Sequence, residues 1–194
     1  MATRPRGGWH WTEWGCELLG TAGLLLGGLS AVCLTMGPGG FVRGHVGSGS
    51  ARLLLTGVLF AGTGSLMAVS PWGRRSGAHL NPVVTLAFWL QGKVHPGDLL
   101  GYVVAQLAGA VLGAAAVLVL WGRTARAVAL GVTQPGPTVS VGTAIVVEAA
   151  MTAVLVLVVL LLTSSPRTAR WTPLATLVLV ALLVWRVAPA PGRA

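Results

Sequence analysis

Two glutamates lie inside apolar stretches of the chain, and each is followed four residues later by a threonine and then an alanine. Glu17 begins the segment ELLGTA, and Glu148 begins the segment EAAMTA. The i, i+4 spacing places each Glu and its Thr on one face of a helix. A carboxylate within lipid is costly and indicates a function. It can relay protons, or it can accept hydrogen bonds from buried backbone N–H groups. We favour the acceptor role over a proton relay and over a side chain that merely reaches the interface.

A second polar feature is the segment SGAHLNPVVTLAFWLQG, residues 76–92. Asn81 is a preferred N-cap residue, and Pro82 suits the first position of a helix. The apolar run that follows has about ten residues, or about 15 Å, half of a hydrocarbon core that is about 30 Å thick. Charged residues flank it on both sides. The pattern therefore predicts a re-entrant half-helix that enters and leaves on the same side of a membrane.

Such a half-helix would direct its N-terminus, with about half a positive charge, towards the bilayer centre. The capping geometry leaves the amide NH2 of Asn81 free as a donor. A hydrogen-bond donor beside the positive end of a helix dipole favours the passage of neutral oxygen-bearing solutes and repels cations and protons. The alternative is an ordinary interfacial helix on a loop.

The composition indicates which elements hold these residues. Of 194 residues, 54% are hydrophobic and 9% are charged, and the mean hydropathy is +0.80. These values are typical of an all-α membrane protein. The formal charge of +9 comes from scattered arginines and does not indicate nucleic-acid binding, because arginines at bilayer edges meet anionic headgroups. A single lysine among many arginines hints at a GC-rich bacterial genome, and hence at a multi-pass protein of a bacterial plasma membrane.

Five spans are predicted, at about residues 16–36, 52–72, 99–121, 141–162 and from 173 onwards. Tryptophans near the span ends fit the preference of indole for the membrane interface. Three spans separate the starts of the two E-x-x-x-T-A segments, so the copies run in opposite directions. This arrangement is typical of an inverted repeat with its site at the midplane. We assign a single domain, 1–194, with a first repeat over 1–121 and an incomplete second repeat over 141–194.

The segments SGAHLNPVVTLAFWLQGKV and GYVVAQLAGAVLGA closely resemble the first pore loop and third helix of the major intrinsic proteins, the aquaporins and glycerol facilitators. Their hallmark is S-G-x-H-x-N-P-A-V-T, from which this sequence departs at Val83. The E-x-x-x-T repeats match the same family. The resemblance implies an inverted-repeat bundle with two half-helices that meet at a single-file pore. It also implies a homo-tetramer with one pore in each subunit.

The resemblance assigns roles to individual residues. Asn81, Pro82 and Val83 would form the pore loop, and Glu17 and Glu148 would anchor the loops. The backbone carbonyls of residues 77–79 would line half of the pore; these residues are Gly77, Ala78 and His79. The His79 side chain either constricts the lumen or packs, and Phe60 is either a filter aromatic or a core residue, with packing favoured for Phe60.

The family's second Asn-Pro-Ala-Arg segment and sixth span would fall beyond residue 194. We therefore expect five spans and one half-helix, and three interpretations remain open. The chain is a truncated channel protein for water or a small neutral solute such as glycerol, or a non-conducting structural membrane protein, or a membrane enzyme. No nucleophile–base pair or metal-ligand spacing supports an enzyme, so neither a cofactor nor a metal is expected. Cys16 and Cys33 are about five turns apart on one helix and cannot form a disulfide.

Overall fold

The computed structural model describes residues 9–136 and 139–187, and these residues form helices, turns and loops without a β-strand. Ten α-helices follow one another within these residues, with a short 3-10 turn at Ala129–Gly131. Their bounds are α1 Trp11–Met36, α2 Phe41–His45, α3 Gly49–Val69, α4 Pro71–Ser76, α5 Pro82–Leu90, α6 Pro96–Trp121, α7 Arg123–Ala127, α8 Val141–Thr163, α9 Pro166–Ala169 and α10 Thr172–Val187.

The five predicted spans correspond to α1, α3, α6, α8 and α10, but four boundaries differ by three residues or more: α1 and α6 start earlier, and α3 both starts and ends earlier. Helix α1 begins at Trp11 rather than near Cys16, because its first turn is tied to α6: Asp98 accepts from Trp14 Nε1 at 3.0 Å and lies 2.7 Å from His10 Nδ1. Helix α3 ends at Val69 rather than Trp72. The Ser70 side chain accepts from Gly73 N and starts α4, with Pro71 at its first position.

In the part of the chain that the structure describes, four helices are long and apolar enough to cross a membrane: α1, α3, α6 and α8. Helix α10 has 16 described residues, which corresponds to about 24 Å. It nevertheless runs along most of α3. Ser65 Oγ donates to Pro173 O at 2.7 Å near one end of the pair, and Trp185 Nε1 donates to Ser50 Oγ at 2.7 Å near the other. Residues 188–194, the last part of the predicted incomplete second repeat, lie outside the described residues.

Two of the connections between predicted spans contain short helices that the sequence did not predict. Helix α2 lies in the α1–α3 connection and α7 in the α6–α8 connection. The buried side of α7 explains its formation, because Ala125 is fully buried against the cluster of Leu29, Cys33 and Val117. Burial of an apolar face stabilises a helix too short to persist alone.

Glycines set the distance between the long helices. A Cβ at Gly109 would meet the backbone of Leu18, and one at Gly113 would meet Ala22 O at 2.5 Å. Helices α1 and α6 are therefore in close contact and run parallel. On another side of α1, a Cβ at Gly27 would meet Thr63 of the antiparallel α3. Close approach through small residues is the usual way that helices associate in lipid.

Candidate functional site

The loop between α4 and α5 turns through backbone conformations that most residues avoid. Gly77 has φ +95°, Ala78 +50° and Leu80 +53°. For the two non-glycine residues this left-handed conformation costs energy and persists where surrounding contacts impose it. The loop enters the bundle, because the Leu80 side chain lies where a Cβ of Gly20 would be, 2.7 Å away. Gly20 is nine residues into α1, or about 14 Å along it.

Helix α5 begins as the sequence predicts. Asn81 is the N-cap, with φ −151° and ψ 129°, and its Oδ1 accepts from Val83 N at 2.8 Å. Pro82 occupies the first helical position, and the helix ends at Leu90 after 9 residues. The Asn81 amide nitrogen has no hydrogen bond to any described residue. The prediction of a short, Asn-capped half-helix is confirmed, and a neutral donor stands beside its N-terminus.

The Glu17 carboxylate is fully buried and lies directly behind this loop. Its Oε1 accepts from His79 N at 3.0 Å, and its Oε2 accepts from Leu80 N at 2.7 Å. Oε2 also accepts from Gln106 Nε2 at 2.8 Å. An ionised carboxylate is an acceptor without donors, which fits this set of three N–H groups. Two consecutive amides that no helix or sheet could satisfy thus find partners on α1 and do not remain unpaired in the bundle.

Three residues that the sequence analysis did not single out complete the support of the loop. Gln106 is buried and also donates to Thr85 Oγ1 at 3.0 Å, and Thr85 Oγ1 donates to Asn81 O at 3.1 Å. The hydroxyl of Tyr102 donates to Ser76 O at 2.7 Å, just before the loop. Gln106 and Tyr102 are polar groups within the apolar α6. That contrast is the sequence signal that could have identified them, because polar side chains within a span are rare.

His79 is half-buried, and its ring is held on three sides. It stacks on Phe88 at 4.8 Å between ring centroids and meets Tyr102 edge-on at 5.3 Å. Its Nδ1 lies 3.2 Å from Thr85 Oγ1. Beyond Phe88, Lys93 Nζ lies 5.5 Å from the ring centroid. The ring is therefore positioned by packing and hydrogen bonding together, and its role at a lumen stays a prediction.

The remaining predicted residues lie apart from this network. Glu148 is exposed and lines a cleft of about 730 Å³ between α5 and α8, together with Val83 and Thr152. It makes no described contact with residues 77–81. Phe60 packs on α1, where a Cβ at Gly28 would meet its ring at 2.6 Å, and it borders the Leu29 cluster. The structure thus brings together Glu17 and residues 77–83, and places Glu148 and Phe60 elsewhere.

Comparison with known proteins identifies a family and several relatives to which this chain is similar. The family model described as major intrinsic protein matches residues 11–194. The probable aquaporin AqpM of Archaeoglobus fulgidus is 43% identical over 89 residues, which cover 45% of this chain and 36% of that protein. The glycerol uptake facilitator protein of Pseudomonas aeruginosa is 35% identical over 148 residues, covering 68% of this chain and 53% of the relative.

A longer alignment joins the chain to the glycerol uptake facilitator protein of Haemophilus influenzae. It is 29% identical over 198 residues and covers 92% of this chain and 71% of that protein. The match to AqpM spans little more than a third of that relative, and the match to the Pseudomonas protein spans about half of its length.

Proposed function

Because this chain belongs to the major intrinsic protein family, we propose that it forms a passive membrane channel for water or a small neutral solute such as glycerol. The observation that carries the proposal is the Asn81 cap. Its Oδ1 is used by Val83 N, which leaves the NH2 group to donate at the N-terminus of α5. A fixed donor in a positive field favours a neutral oxygen-bearing solute over a cation.

The loop supplies acceptors next to this donor. The amides of His79 and Leu80 point to Glu17. With these amides turned towards α1, the carbonyl groups of residues 77–79 would be the acceptors that line the pore in this proposal. A solute that passes would exchange its hydration for these carbonyls and for the Asn81 amide. Water and glycerol can both make such contacts. The proteins similar to this chain include one named as a probable aquaporin and one named as a glycerol uptake facilitator.

The wider assembly follows from the same proposal. We infer a homo-tetramer in a bacterial plasma membrane, with residues 1–121 as one repeat and 141–194 as part of the other. In this arrangement Glu148 would anchor a second loop as Glu17 anchors the first. The single domain, 1–194, would take no cofactor and would perform no catalysis.

A second candidate function has one observation in its favour. The cleft beside Val83 is open and lined by Glu148. On this side, the start of α5 is not covered by any other described residues. A structural membrane protein that does not conduct would tolerate such a cleft, whereas a single-file pore would have to close it.

The test replaces the amide of Asn81 by a carboxylate. Asn81→Asp keeps an N-cap acceptor but removes the donor, so we expect water or glycerol flux in proteoliposomes to fall severalfold without loss of folded protein. Gln91→Glu makes the same chemical change at the other, exposed end of α5 and serves as the control. Equal flux in Asn81→Asp and in the unchanged chain would contradict the donor role. Flux no greater than in empty liposomes for the unchanged chain would favour the structural candidate.

A further inference from the structure

One end of the bundle carries several arginines, and none of them has a carboxylate partner among the described residues. This end, where α1 and α6 finish and α3 begins, is named here the arginine face. It is defined by five residues, Arg43, Arg52, Arg123, Arg126 and Arg186. The chain has four acidic residues. Three of them lie near the opposite end, in the first two turns of α1 and the first turn of α6, and Glu148 lies in the third turn of α8.

The two ends therefore differ in how their charges are balanced. At the opposite end, Asp98 lies against His10, and Glu13 lies 3.5 Å from Arg75 Nε. On the arginine face, no described carboxylate lies within salt-bridge distance of any of the five guanidinium groups. The face thus has an unbalanced positive charge that suits an anionic partner.

Helix α7 presents two of these arginines from a fixed base. Ala125 is fully buried, and a Cβ at Gly37 would meet the Thr124 methyl group. Val128 and Leu130, just after α7, pack against the Leu29 cluster. Arg123 and Arg126 are exposed, and their i, i+3 spacing puts them on the same side of the helix.

The depth of this pair in a membrane follows from α6. This helix has 26 residues, or about 39 Å, which exceeds a hydrocarbon core of about 30 Å. At its end, Trp121 Nε1 donates to Ser30 Oγ at 2.9 Å, and indoles collect at the membrane interface. Arg123 and Arg126 follow directly and so lie at the level of lipid headgroups.

A third arginine of the face has the same setting. Trp185 Nε1 bonds Ser50 Oγ, and the Arg186 guanidinium lies 4.2 Å from the centroid of the Trp185 ring. The indole holds the guanidinium at the end of α10 by a cation–π contact. Indole and arginine thus occur together at two points of the face.

We propose that the arginine face binds anionic phospholipid headgroups, with Arg123 and Arg126 as the principal contacts to the lipid phosphate. The planar guanidinium donates two parallel N–H groups to phosphate oxygens, a geometry that lysine does not reproduce. The partner is a lipid of the surrounding bilayer, and the proposal does not depend on whether the channel conducts.

The test measures lipid binding to the purified chain in a neutral detergent, by native mass spectrometry with dioleoylphosphatidylglycerol and dioleoylphosphatidylcholine as probes. The unchanged chain should retain phosphatidylglycerol in preference to phosphatidylcholine. In the R123Q/R126Q variant we expect about a tenfold weaker retention of phosphatidylglycerol, since each interfacial arginine contributes to headgroup attraction. The variant should keep its thermal unfolding temperature, because both side chains are exposed.

The matched control is R74Q/K93Q, which removes two positive charges at the opposite end. Its retention of phosphatidylglycerol should change by less than about twofold. Equal retention by R123Q/R126Q and the unchanged chain would overturn the proposal, and so would an equal loss in the control, since that would indicate attraction by net charge alone. Displacement of the lipid by inorganic phosphate at millimolar concentration would also overturn it, in favour of a site for free phosphate.

Discussion

Glu17 shows how one side chain can determine the shape of a membrane loop. Its two oxygens accept from His79 N, Leu80 N and Gln106 Nε2. The two backbone amides belong to a segment with two non-glycine residues at positive φ, which would relax without these partners. The carboxylate therefore stabilises both the backbone strain of the loop and its depth.

Replacing Glu17 by Gln should destabilise the fold. The amide keeps one acceptor oxygen and turns an NH2 group towards a donor, so at least one buried N–H loses its partner. The expected cost is about 1.5–3 kcal/mol, the range found for hydrogen bonds to charged groups. The measurement is thermal unfolding in detergent, with hydrogen exchange of the His79 and Leu80 amides as a local readout.

Glu148→Gln is the matched control, since it makes the same change in the other E-x-x-x-T-A segment at an exposed position. It should alter the unfolding temperature little. If Glu17→Gln were as stable as Glu148→Gln and its loop amides exchanged no faster, the carboxylate would not be what holds the loop.

At the scale of the helices, α1 and α6 approach each other closely because glycines, which have no side chain, lie at their contact. Gly109 lies against the Leu18 backbone, where a Cβ has no space. Gly109→Ala should therefore push the two helices apart or strain them, at about 1–3 kcal/mol. Since these helices carry Glu17 and Gln106, the variant should also weaken the support of the loop.

Gly15→Ala on α1 provides the comparison for this prediction. A Cβ at Gly15 meets nothing within 4 Å, so alanine should be neutral or stabilise α1 by up to about 1 kcal/mol through helix propensity. The measurement compares the thermal unfolding temperatures of the two variants in the same detergent. Two glycine variants with the same stability would mean that α1 and α6 are not in close contact.

The sequence predicted helices better than it predicted their ends. The N-cap at Asn81 and the start of α8 at Val141 follow from local chemistry, and both are confirmed. The predicted end of α3 at Trp72 was wrong although Ser70 and Pro71 carry a local signal for a new helix start. The predicted start of α1 near Cys16 was wrong because it depends on Asp98, which is distant in sequence. Gln106 was missed for a related reason, since its role depends on two side chains distant in sequence.

At the scale of the molecule, the bundle is closed on one side and open on the other. Helices α1, α3, α6 and α10 pack together, whereas α8 is largely exposed and lies across a cleft from Val83. The inverted repeat in the sequence predicts the direction of the helices. It does not predict this cleft, because a six-residue repeat carries no information about which side chains pack over Glu148. The roles proposed for Glu148 and Phe60 stay predictions.

The cleft can be probed with thiol chemistry. The side chain of Val83 is 44% exposed and that of its neighbour Val84 is 8% exposed. In detergent, Val83→Cys should react with N-ethylmaleimide at least severalfold faster than Val84→Cys, and mass spectrometry would follow the rates. The native Cys16 and Cys33 are buried and give a low background. Equal rates for the two variants would mean that α8 covers the start of α5.

The parallel packing of α1 on α6 also has a consequence for biosynthesis. Glu17 leaves the ribosome 62 residues before His79, its first backbone partner, and 89 residues before Gln106. Helix α1 thus leaves the ribosome before any of the three groups that donate to its carboxylate. We expect that carboxylate to stay hydrated or within the translocon until the loop amides have been translated, and the contact with Gln106 to form only once α6 has followed. Assembly of the loop is therefore a late step relative to the synthesis of its anchor, which is made 62 residues before the first of its partners.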